Sequence, residues 1–86
     1  MEFVVAESFY AAYEALSDSD AAVVDDCIRR LLAGPGSGWA RQGRIEGESG
    51  GAWIITIISS SIDGTLYWDY VDAEKLILLA LVVHKA

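Results

Sequence analysis

The sequence predicts an α+β fold: a short N-terminal strand, then a two-helix hairpin packed on a small antiparallel β-sheet. Three observations carry this. Apolar residues recur at helical spacing through residues 8–33, and three apolar or alternating segments fill residues 53–83. Between them, residues 34–52 hold seven of the eight glycines. A helical period giving way to a strand period within one short chain is the pattern of that class.

The elements follow in order. "EFVVA" is β-branched and aromatic, and reads as a short strand added at or near the sheet edge. "SFYAAYEALS" puts Phe9, Ala12, Tyr13 and Leu16 on one helical face, with Glu7 or Ser8 at the cap. "SDSD" breaks that helix, because Ser and Asp favour turns and N-caps over helix interiors. A second helix runs from about Ala21 to Ala33 with an apolar stripe of Val24, Cys27, Ile28, Leu31 and Leu32. Asp25 faces Arg29 and Asp26 faces Arg30 at the i,i+4 spacing that supports a helix, and Gly34-Pro35 ends it. Residues 34–52 form a loop with one short edge strand at "RIE". Strands at 53–58, 65–71 and 76–83 are joined by "SSSIDG" and "DAEK", turn material that implies antiparallel hairpins.

Composition bounds the function. Eighty-six residues make one domain, 1–86, and 53% of them are hydrophobic, three being tryptophan. So small a chain has few interior places for that surface, and part of it is expected to meet a partner. The net charge of −7 opposes sequence-independent binding to a phosphate backbone and suits a basic protein partner. A single cysteine, Cys27, excludes an internal disulfide, and one Cys with one His is too few ligands for a metal. No cofactor is implied. The longest apolar run, Leu76 to Val83, is too short to span a bilayer, and no leader pattern opens the chain, so a cytoplasmic setting without a membrane is expected.

Within the strands, "TLYWDYV" alternates: Leu66, Trp68 and Tyr70 share one face, and Thr65, Tyr67, Asp69 and Val71 the other. The flanking strands are apolar on both faces, as in a sheet covered on both sides. Two short helices cover one face only. The other face calls for a partner or a second copy, and the aromatic set Leu66, Trp68 and Tyr70 is the candidate contact.

Four motifs have a chemical reading beside a plain one. "GESGG" around Ser49 matches a nucleophile-elbow pattern but precedes a strand, where an elbow needs a helix. "GPGSG" follows a helix and lacks a lysine, so a helix cap fits it better than a phosphate cradle. Trp39, Arg41 and Arg44 form a basic-aromatic cluster, either a nucleic-acid contact or a loop anchor neutralised by Glu46 and Glu48. His84-Lys85 is either the polar end of a strand or a catalytic pair, His84 moving a proton and Lys85 holding a phosphate.

The order strand, two helices, then antiparallel strands, with "LYWDYVDAEKLILLALVVHKA" at its end, resembles the RelE/ParE-type toxins of bacterial toxin–antitoxin pairs. "SFYAAYEAL" and "VDDCIRRLLAGP" stand where that superfamily places its helices. The resemblance implies an antitoxin partner and an action on RNA and translation or on a bound target such as gyrase. It carries His84 and Lys85 over as catalytic positions. Where the family has an arginine before the apolar-aromatic pair, this chain has Gly64-Thr65, and its charge is acidic rather than basic. Lost catalysis is therefore part of the expectation. The alternative is a non-enzymatic interaction module or homodimer using an aromatic sheet face.

Overall fold

A computed structural model describes residues 1–48 and 50–86. The elements are β1 (Glu2–Val5), α1 (Glu7–Glu14), α2 (Asp18–Ala33), β2 (Gly43–Gly47), β3 (Gly50–Ile58), β4 (Ile62–Asp72) and β5 (Lys75–Lys85). The strands make one sheet in the order β1-β5-β4-β3-β2. Neighbours are antiparallel except β1, which lies parallel to β5 at the edge. The sheet is thus mixed, where a purely antiparallel one was expected. The two helices between β1 and the β2–β5 meander account for this, since a crossover lets the first strand run alongside the last.

Both helices lie on one face. Helix α1 starts at Ala6, whose side chain cannot cap, so neither Glu7 nor Ser8 takes that place. The Ser8 hydroxyl instead donates to the Leu79 carbonyl at 2.6 Å. Helix α2 is three residues longer at its start than its apolar stripe suggests. Ser17 is its N-cap and accepts from the Asp20 amide, and Asp18 and Asp20 sit in the first turn, where the helix dipole favours them. The expected i,i+4 ion pairs do not form. Arg29 pairs with Asp26, Arg30 stacks on Trp39, and Asp25 accepts from the Tyr13 hydroxyl at 2.8 Å.

The core lies between helices and sheet: Phe9, Val24 and Leu31 from the helices meet Ile55, Ile57, Ile62, Leu66, Trp68, Leu76, Leu78 and Leu81. Along β5 the buried residues fall at 76, 78 and 81, which breaks a strict period of two. A β-bulge is the reason: Tyr67 pairs with Ala80 and Trp68 with Leu78, leaving Leu79 without an opposite residue. Its carbonyl is the one Ser8 reaches. Further along the ladder Gly64 lies opposite Val83, so close to β5 that a Cβ there would collide with the Val82 carbonyl oxygen.

Candidate functional site

Among the described residues nothing covers the face of the sheet turned away from the helices. Register assigns it. Residues paired with the buried set share the helix side, and the alternate ones point outward. The outward set includes Ile54, Thr56 and Ile58 of β3, Thr65 and Tyr67 of β4, Ile77, Ala80 and Val82 of β5, and Val4 of β1. Ile58 is 80% exposed, and Val4, Ile45 and Val82 are also open to solvent. A shallow, mainly apolar depression of about 500 Å³ lies here, lined by Ile45, Ala52, Tyr67, Asp69, Ile77 and Leu79 among others. Exposed apolar side chains gathered on one uncovered sheet face are characteristic of a contact site.

Of the expected contact set, Leu66 and Trp68 sit on the other side, and Tyr70 reaches the rim of the depression. Leu66 and Trp68 are each 0% exposed beneath the helices, so they serve the core and cannot meet a partner in the folded chain. Trp68 is fixed there by its Nε1, which donates to the Ala40 carbonyl at 2.8 Å. That bond ties the glycine-rich loop to the sheet, and Trp39, packed against the core, anchors the same loop as expected. Tyr70 is half-buried, edge-on to Trp68, and its hydroxyl accepts from Arg41 at 2.8 Å.

The basic-aromatic residues cluster at one end of the sheet and are engaged internally. Arg41 donates to the Pro35 carbonyl and lies 5.0 Å from the Trp53 ring centre; Arg44 lies 4.7 Å from the same ring. Arg44 pairs with Glu46 at 2.5 Å and approaches Asp69 at 3.7 Å. These carboxylates hold its guanidinium above its already high ordinary pKa, the Glu46 hydrogen bond being the main cause. Gly51 makes room for it, since a Cβ at that position would stand 2.6 Å from the Arg44 side chain. Trp39 sits apart, under Arg30. The three candidates for a nucleic-acid contact are therefore not one open cluster.

His84 and Lys85 point to opposite faces. Lys85 is opposite Ile62, on the helix side, whereas His84 is opposite Asp63, on the bare side. The Lys85 ammonium meets Asp20 at 2.5 Å. Asp20 is the one buried charged residue among those described, at 3% exposure. Its carboxyl is held below the usual range, chiefly by the Lys85 hydrogen bond and with help from Ser61 and Ser17, against the opposing effect of burial. The tail also lies far from the arginines. Asp63 and Asp69 mark the two ends on β4, and six residues of strand span about 20 Å. The two side chains are thus not brought to one point.

The other chemical candidates are equally plain. The Cys27 thiol is half-buried and pushed up by burial, and by Asp26, which opposes the thiolate a nucleophile needs. Ser49 lies outside the described residues. Among the described residues no group of three or more His, Cys, Asp or Glu is placed to hold a metal, and no helix is long and apolar enough to cross a membrane. Comparison with protein-family models, curated proteins and solved structures returns no match.

Proposed function

We propose that this chain works by binding a protein rather than by cleaving RNA, as a divergent toxin-fold protein of the RelE/ParE type whose partner covers the bare sheet face. The observation that carries this reading is the apolar outward set around Ile54, Tyr67, Ala80 and Val82. Among the described residues no helix or strand covers it, since both helices pack on the opposite face. The occupant is a basic protein segment with an apolar side, because the chain's net charge of −7 favours a partner of opposite sign. In the toxin–antitoxin setting that segment belongs to the antitoxin, and a target such as gyrase is the other protein the face would meet.

Catalysis on RNA or the ribosome has less behind it. Arg29, Arg44 and Lys85 are in ion pairs, and Arg30, Arg41 and Arg44 are stacked on aromatic rings, so few cations remain for phosphates. Induction of the chain in a bacterial host, followed by growth and total RNA, tests the proposal. Growth arrest with intact RNA is expected. Arrest accompanied by RNA cleavage would assign an enzyme, and unimpaired growth at high expression would remove the toxin half of the reading.

A further inference from the structure

We propose that a second copy of this chain pairs antiparallel with the open edge of β1, Phe3 lying opposite the partner's Val5 and Val4 opposite the partner's Val4. This goes beyond the reading above, since it uses the edge of the sheet and not its face. The backbone sets the register. Glu2 and Ala6 direct their amides at β5, donating to the Glu74 and Leu78 carbonyls at 3.2 and 2.9 Å. In a parallel pair alternate residues point the other way, so Phe3 and Val5 turn both N–H and C=O outward. No other strand among the described residues meets that edge. Two outward residues, two apart, satisfy one another completely when Phe3 of each copy meets Val5 of the other. The resulting four hydrogen bonds close the ladder.

The side chains agree with that register. Phe3, Val4 and Val5 are all exposed, at 42%, 41% and 40%, which is unusual for three successive apolar residues in a strand. Phe3 and Val5 flank an apolar groove of about 240 Å³, walled by Phe9, Tyr10, Tyr13 and Ile28. In the pairing Phe3 covers the partner's Val5 beside Tyr10, itself 57% exposed, and the two grooves become neighbours. Val4, on the opposite face, meets its own copy on the two-fold axis.

The hydrogen-bonding set is its own complement about Val4, and the register places no local charge clash in the way of a second copy. Glu2 is the only charged residue of β1, and this register sets it opposite the partner's Ala6, so no like charges face each other. Beyond Glu2 the edge is apolar, with no proline, lysine or bulge. At the far edge β2 carries Arg44 and Glu46 between two glycines, which blunts it. Residues of like parity pair and so lie on matching faces, which puts both pairs of helices on one side of a ten-stranded sheet.

The test uses the full chain in a Cys27→Ser background. In a non-hydrogen-bonded antiparallel pair the Cα atoms lie about 4.5 Å apart, within disulfide reach. Val4→Cys should cross-link nearly completely to a covalent dimer under mild oxidation, whereas Val5→Cys, offset from its own copy, should not. Sedimentation of the unmodified chain should show a concentration-dependent dimer, converted to monomer by Val4→Lys with the far-ultraviolet spectrum unchanged. A monomer at every concentration overturns the proposal. So does cross-linking of Val5→Cys in place of Val4→Cys, or a dimer indifferent to Val4→Lys.

Discussion

Asp20 and Lys85 join the first turn of α2 to the end of β5, and they show how one buried charge is tolerated. A carboxylate at 3% exposure is costly unless partnered, and the ammonium, with hydroxyls of Ser17 and Ser61, supplies the partners. Its folded pKa is lowered, so the stability this group contributes is present above the ordinary carboxylate range and is lost as pH falls through the lower folded value. Melting temperature measured from about pH 6 down to pH 2 should therefore fall more steeply in the native chain than in Asp20→Asn. Parallel curves would detach the pair from stability. At Gly64 the constraint is steric rather than electrostatic. A methyl there meets the Val82 carbonyl, which belongs to the sheet backbone and cannot rotate away. Gly64→Ala should cost about 1–3 kcal/mol in denaturant unfolding, as overpacking does. A neutral result would mean that β5 shifts freely at this point.

At the scale of elements, β5 explains why its sequence looked ambiguous. "LILLALVV" reads as apolar on both faces because the bulge at Leu79 shifts the buried positions from an even to an odd register halfway along. Periodicity cannot reveal a bulge whose neighbours are apolar on either side. Ser8 supports the bulge from α1, and Ser8→Ala should lower stability by about 1 kcal/mol, a typical net hydrogen-bond contribution. Amide exchange in α1 and at residues 78–80 should rise together in that variant. Exchange that rises in α1 alone would separate the helix from the bulge. The three C-terminal strands and both helices were legible, because each carries a clean apolar pattern and is bounded by Ser, Asp, Gly or Pro. The N-terminal extension of β3 to Gly50 was not, since its pairing comes from β2 and not from its own glycines.

For the whole molecule, alternation in β4 was legible while its orientation was not. Parity groups Leu66 with Trp68 and Tyr70, but only the packing of α1 and α2 decides which face they cover. The helices took the aromatic face, leaving the outward set of Ile54, Tyr67, Ala80 and Val82. His84 and Lys85 were legible as a pair in sequence, yet adjacent strand residues diverge. Lys85 thus closes an ion pair on the helix side while His84 ends among outward-facing residues beside Asp63. The proposed working surface is accordingly a face and not a tail.

Two variants assayed together, Ile54→Asp and His84→Ala, separate these most directly. Each is induced in the same bacterial host as the native chain, with folding checked by circular dichroism. Growth arrest that Ile54→Asp abolishes and His84→Ala leaves intact is the result this account predicts. Arrest that Ile54→Asp leaves intact and His84→Ala abolishes would contradict it, and would return the activity to the end of β5.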